Sequence, residues 1–314
     1  MASDLHGNYP TRLTYTGPTN LTINNVVSVS PNSAIEENLQ IPSGGLYPLH
    51  RSLAKGEPVC KIVTHDIGDV LDVCLATNHF SKYFNLGGVI QYQKRALGGT
   101  FSGAGANVTL SNAYGILALV SEISASRNDK MGAKLTLDAH FLSDNGYNDP
   151  VAVNTAQSLV GTPAVGEVYV LGPCECQGLT GGQGLIGLES ISIKPGHNIA
   201  TQMGVYFPFH KSIESANPTI EFKVECLAQL LAVTGPTMFK TTTTWLFWLE
   251  RKVIGGGSSA FGTAEHIKFT VPSGSVVEVT SVDVDQRGNA SVNCKLGSIT
   301  QLLYTPDTTI ALTA

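Results

Sequence analysis

The chain has 314 residues and a formal net charge of -5, with 14% charged and 42% hydrophobic side chains. This acidic balance excludes a protein built to grip nucleic acid, which needs clustered Lys and Arg; histidines aside, Arg12 is the only base before Arg51. No run of eighteen apolar residues and no basic-flanked apolar start occurs, so neither a membrane span nor a secretion signal is expected, and the default compartment is the cytoplasm in which the chain is made.

In chain order, Met1–Pro10 reads as a loosely held arm within residues 1–11. Strands are expected at Leu13–Tyr15, Leu21–Ile23, Cys60–Thr64, Val89–Tyr92, Ile116–Val120 and Lys134–Leu137, where residues alternate or are β-branched. Asn145–Pro150 carries turn chemistry that closes this first set. A second set follows at Ser190–Ile193, Thr219–Val224, Thr244–Leu249, Val276–Val279 and Ala290–Cys294. After Cys60–Thr64 and again after Thr219–Val224 the period changes to i, i+3, i+4. This predicts a short helix over Asp66–Val73, with Asp66 as its N-cap, and another over Cys226–Leu231.

The two sets are related. Tyr47-Pro48-Leu49-His50-Arg51-Ser52-Leu53 returns as Phe207-Pro208-Phe209-His210-Lys211-Ser212-Ile213, an offset of about 160 positions (His210 against His50). At that offset Pro58 meets Pro218, Ile62 meets Phe222 and Val70-Leu71 meets Leu230-Leu231. Solenoid units run to tens of residues, whereas each half here has the size of a domain. The fold class is therefore mainly β: two tandem homologous β-barrel or β-sandwich domains, each with one short helix. The first spans residues 12–150 and the second 165–314, with a linker over 151–164.

No catalytic constellation accompanies the repeat. His50 and His210 sit beside Arg51-Ser52 and Lys211-Ser212 with no nominated acid or oxyanion pocket; they read as pins of an exposed loop before a strand, at a contact repeated in both halves. His65, Asp66 and Asp69 cluster locally, but the second half has Glu225, Cys226 and Gln229 there. The glycine segments Gly98–Gly105, Gly181–Gly184 and Gly255–Gly262 lack the Gly-Lys-Ser/Thr ending of a nucleotide loop and read as hairpin connections. Cys174-Glu175-Cys176 has no second ligand pair at zinc spacing, and the six cysteines read as buried thiols. No enzyme activity, metal or cofactor is expected.

Repetition points to assembly instead. Closed homo-oligomers repeat one contact, and a chain with two similar domains places six domains in a ring of three subunits. Such a ring buries edge strands that would otherwise aggregate. Trp245 and Trp248, in the aromatic strand of the second half, are candidate subunit-contact positions; packing inside a core strand is the alternative.

The order of proline-started strand, short helix, long hairpin and further strands, carried by Pro58–Leu71 and Pro218–Leu231 and the strand groups above, resembles the tail tube domain of long-tailed phages and related injection machines. The resemblance implies a structural virion protein, assembled in the host cytoplasm. It would form trimeric near-sixfold rings of a tail tube or tail hub, touching other virion proteins and passing DNA without gripping it. An acidic inner wall would repel phosphate, and Glu122, Asp283 and Asp285 are its candidates. Two alternatives stand: a double jelly-roll capsid protein forming pseudo-hexagonal trimers, and a carbohydrate-binding or β-sandwich hydrolase domain. For the last, the i, i+3 spacing of the tryptophans puts them on opposite faces of a regular strand.

Overall fold

The computed structural model describes residues 9–14, 21–40, 43, 50–74, 80–85, 89–93, 107–111, 114–129, 131–155, 167–176, 187–225, 239–241, 244–253, 257–284 and 290–310. In chain order the elements are β1 (Tyr9–Thr14), β2 (Leu21–Asn32), β3 (Ile35–Gln40), β4 (His50–Gly56), β5 (Val59–Thr64), α1 (Ile67–Cys74), β6 (Ser81–Asn85), β7 (Val89–Gln93), β8 (Asn107–Ser111), β9 (Gly115–Ser126), β10 (Lys134–Phe141) and β11 (Ala152–Thr155). There follow β12 (Val168–Cys176), β13 (Leu188–Lys194), β14 (His197–Met203), β15 (Pro208–Ala216), β16 (Thr219–Val224), β17 (Phe239–Thr241), β18 (Trp245–Val253), β19 (Gly257–Ser258), β20 (His266–Val271), β21 (Val276–Val284), β22 (Ala290–Gly297) and β23 (Leu303–Thr308). The chain is mainly β, as its alternation predicts.

Period-two burial explains the central strands. In β10, Leu135, Leu137, Ala139 and Phe141 turn inward while Lys134, Thr136, Asp138 and His140 turn outward. β5 and β16 carry the same inside-outside pattern, burying Cys60, Ile62 and Thr64 in one case and Ile220, Phe222 and Val224 in the other. The single described helix, α1, begins directly after Asp66 and buries Ile67, Val70, Leu71 and Cys74. Residues 226–238, where a second helix is expected, lie outside the described residues.

The halves match in pairing as well as in pattern. Ile62 lies opposite Val29 of β2 and Leu137 of β10; Phe222 lies opposite Ile191 of β13 and Cys294 of β22. Register shifts recur at matching places: Val26/Ser28 in β2 and Leu188/Ser190 in β13, then Glu36/Glu37 in β3 and Asn198/Ile199 in β14. The β9–β10 hairpin shifts at Ser121 and the β21–β22 hairpin at Thr280. In both, the hydroxyl of the extra residue donates to the facing strand's carbonyl, Ser121 Oγ to Thr136 at 3.3 Å and Thr280 Oγ1 to Asn293 at 3.0 Å. A bulge leaves backbone groups unpaired, and a short hydroxyl side chain reaches back to one of them.

In the first half β2-β5-β10-β9 are neighbours, and β1-β7-β8-β11 continue from β2; in the second, β13-β16-β22-β21 are neighbours and β12-β18-β20-β23 form a separate sheet. Ring contacts of Phe222 on β16 with Trp245 and Phe247 on β18, at 5.4 and 5.7 Å, show the two sheets of the second half face to face. One buried cluster runs through both halves, from Leu21 and Ile62 to Phe269 and Leu296.

Two expected boundaries move. Tyr9 and Thr11, assigned to the arm, pair with β2, and Thr11 pairs with β7 as well, so β1 begins inside the expected arm. Likewise β11 falls in the expected linker but pairs with β8, so the first half's sheet extends to Thr155. The turn over Asn145–Pro150 is present, stitched by Asn145 Oδ1 accepting from the Tyr147 and Asn148 amides.

Candidate functional site

The sheet does not stop at the boundary between the halves. Residues Ile123–Ser126 of β9 pair antiparallel with Ser190–Ile193 of β13, so β2-β5-β10-β9 runs on into β13-β16-β22-β21. On one face the apolar residues are buried; the other is polar, with Ser124, Ser126, Ser190, Ser192, Lys223 and Asn293 lining a shallow concavity across the junction.

Three lysines on this face are ion-paired. Lys223 Nζ is 2.8 Å from Glu189 Oε2, Lys194 Nζ 3.1 Å from Glu221 Oε2, and Lys134 Nζ 2.7 Å from Asp129 Oδ2. The Lys134 hydrogen bond holds the Asp129 carboxyl below its ordinary pKa. Glu122 accepts from Ser192 Oγ at 2.6 Å, across the junction, and Asp283 accepts from Asn293 Nδ2 at 2.9 Å. Glu122 and Asp283 thus belong to the polar face, and Asp285 lies outside the described residues. Lys134, Lys194 and Lys223 are interleaved with the acids of this face, and strand neighbours of opposite charge stabilise one another. What remains is a hydroxyl-rich, internally paired surface.

The tryptophans need a correction too. Trp245 is fully buried and Trp248 nearly so; Trp245 stacks on Phe247 at 6.0 Å and meets Phe222. They fill the second half's interior, so the core reading replaces the subunit-contact reading, and no two-tryptophan sugar platform is exposed. Neither indole nitrogen has a hydrogen-bond partner among the described residues.

His50 and His210 lie in strands, at matching hairpin positions opposite Gln40 and Gln202, rather than in an exposed loop before a strand. His210 is exposed, and the side chain of His50 lies outside the described residues. The residue after His210 makes the contact: Lys211 is buried and reaches Glu57 at 3.1 Å and His140 at 3.3 Å, both in the first half. The repeated base in the Pro-x-His-base-Ser motif is the sequence signal for this position, yet its neighbour, the histidine, draws the eye.

Lys211 is one part of a wider clasp. The β14–β15 ribbon of the second half leans on the first through Gly56 N–H to the Tyr206 carbonyl and Ser143 N–H to the Pro208 carbonyl, each 2.8 Å. On another side Tyr304 Oη donates to Asp72 of α1 at 3.0 Å and Arg127 pairs with Glu225 at 3.2 Å.

His65 is buried, its Nδ1 2.8 Å from the Ala133 carbonyl, which ties the start of α1 to the turn before β10. Burial pushes the Cys60, Cys74 and Cys294 thiols up to about 12, and Cys174 is buried as well. Among the described residues no group of His, Cys, Asp and Glu is arranged to hold a metal, and no helix is long and apolar enough to cross a membrane. Much of the glycine-rich segment after β7, and Gly181–Gly184, fall outside the described residues.

No protein-family model matches the chain, and no curated protein matches it in sequence.

Proposed function

We propose that this chain is a structural subunit of a ring-shaped or tubular assembly, a virion protein of the phage tail tube or tail hub kind. One β module is present twice in each chain, and three chains set six modules around a channel through which DNA passes. The observation that carries the proposal is the β9–β13 pairing, because it is a contact that joins the sheet of one module to the sheet of the next. A contact between like units, repeated with constant geometry, generates a closed ring or an open filament.

The polar face supports the channel reading. On this serine-rich wall Lys134, Lys194 and Lys223 are engaged in ion pairs, which leaves Lys295 as the lysine of the concavity facing passing phosphates, and adhesion to DNA scales with the phosphates neutralised. This largely ion-paired lining serves the same purpose as the acidic wall that the sequence suggests. The strand order fits a capsid jelly roll less well: β7–β8, β9–β10 and β21–β22 are hairpins within one sheet, whereas a jelly roll passes its successive strands between two sheets. The proposal gives the chain no catalytic step. Its partners are further copies of itself and other virion proteins.

Negative-stain images of the purified chain test the proposal. Rings or short tubes with threefold or near-sixfold symmetry and an open centre are expected; closed shells or isolated single chains would contradict it.

A further inference from the structure

Each chain contains its own example of a module-to-module contact and, among the described residues, the two edges of a second such contact have no strand paired along them. In β9, the stretch beyond the Ser121 bulge is covered by β13, and Ile123 and Ala125 are 1% and 5% exposed. β21 is the matching strand, with the same hairpin partner relation and the same bulge at Thr280. Even the short strand beside its beginning matches, β17 for β6. Beyond that bulge no described strand follows. Val282 and Val284, at the places of Ile123 and Ala125, are 47% and 65% exposed.

The complementary edge belongs to β2. Its partner β5 fixes it as the counterpart of β13, with Val29 at the place of Ile191 and Pro31 at that of Ile193. Ile191 and Ile193 are buried against β9; Val29 is half-buried and Pro31 is exposed. β1 pairs with β2 only as far as Val26, and no described strand pairs with the outer edge of Ser28–Pro31. The ribbons agree: β14–β15 leans on the first half, while its counterpart β3–β4 leaves Ile35 and Leu39 about half exposed.

We infer that the edge of β21 pairs antiparallel with the edge of β2 in a second copy of the chain, in the register of the internal β9–β13 contact. Resting on the assembly reading above, this names its interface. Transferring Ile193 opposite Ile123, Ser192 opposite Ser124 and Ile191 opposite Ala125 places Pro31 opposite Val282, Ser30 opposite Asp283, and Val29 opposite Val284. The two apolar pairs join the core side and the polar pair joins the concave face. Pro31 has no N–H to give, so the ladder ends there. Because the two edges differ, the contact is head-to-tail and each chain uses both, which propagates until the ring closes. Open apolar edges of this kind otherwise invite aggregation.

The test is a disulfide trap. Directly opposed residues of antiparallel strands have Cα atoms about 4.5–5.5 Å apart, within disulfide reach. Chains carrying only Asp283→Cys and chains carrying only Ser30→Cys are co-expressed and mildly oxidised, beside each chain expressed alone and the wild type. The inference expects a linked dimer in the co-expressed sample that neither variant gives alone. In parallel, Val284→Lys should convert the assembled particle into single chains with unchanged far-ultraviolet circular dichroism. Wild-type rings in the electron microscope with no mixed disulfide, or rings that persist in Val284→Lys, overturn this interface while leaving the ring reading standing. A disulfide in either variant alone shows a like-with-like contact and overturns it as well. A wild type that stays a single chain at all concentrations removes the ring reading and this interface together.

Discussion

Lys211 places its buried ammonium 3.1 Å from the carboxylate of Glu57, across 154 residues of sequence, and so locks the ribbon of the second half onto the first. His140 Nδ1 sits 3.3 Å from the same ammonium, which makes the ring nitrogen an acceptor and the imidazole neutral.

A pH dependence follows from this group. Burial, then the charge of Lys211, lowers the His140 pKa from 6.5 to about 4, against a smaller opposing effect of Glu57. The unfolded chain takes up this proton below pH 6.5 while the folded chain does not. Stability is therefore full above pH 6.5 and declines as the pH falls toward 4, by roughly 2–3 kcal/mol in all. Glu57 acts in a lower window. Its own burial would raise its pKa, but the hydrogen bond and charge of Lys211, with Lys55, outweigh that and hold it below 4.5. Its stabilisation is present above pH 4.5 and fades below. His140→Gln, which keeps an acceptor for Lys211, should flatten the urea-midpoint profile between pH 6.5 and 4; an unchanged slope would refute the assignment.

Removing Trp245 should unfold the second half rather than loosen an assembly. Trp245→Ala opens a cavity among Phe222 and Phe247 and should cost about 3–5 kcal/mol, read from the denaturant midpoint. Trp245→Phe should cost less, since it also removes a buried N–H that lacks a partner among the described residues. Dissociation of particles without loss of chain stability would restore the contact reading.

The twin bulges give a paired prediction. Ser121→Ala and Thr280→Val each delete one hydroxyl-to-carbonyl bond and should each cost about 0.5–1.5 kcal/mol. Lying in different halves with no shared partner, they should add to within about 0.5 kcal/mol in the double variant. A larger mismatch in thermal or chemical denaturation would mean that the two bulges are coupled.

Gly146 is tied to the inter-half contact by its backbone. Its φ is +72°, a Cβ there would overlap the backbone of Gly204, and its carbonyl accepts from both Tyr206 and Phe207. Gly146→Ala should cost about 1–3 kcal/mol and free the β14–β15 ribbon, seen as faster proteolysis within residues 197–216. Protection equal to wild type would show that the crossing is not needed.

Much of the fold is legible in the sequence where one face of a strand is buried. Ile62, Leu137 and Phe222 stand in alternating runs, and those runs are β5, β10 and β16. The ribbons β3–β4 and β14–β15 are not legible, because a two-stranded element off the main core buries few of its residues and leaves no period to read; only the Pro-x-His repeat marks its place. Bulges at Ser121 and Thr280 are equally silent, since a hydroxyl residue in a strand looks ordinary until its partner strand is known. Trp245 and Trp248 mislead for a related reason: aromatic enrichment marks interior and interface alike. Lys211 is visible as the repeated base, but its partners Glu57 and His140 are distant in sequence and only folding brings them to it.

The central claim is a threefold set of chains, each contributing two like modules to one circle. Native mass spectrometry of the purified particle tests it most directly. The account expects three times 33.1 kDa, about 99 kDa, or whole multiples of that value where rings stack. A predominant mass of one chain, or of two or four chains, would contradict it.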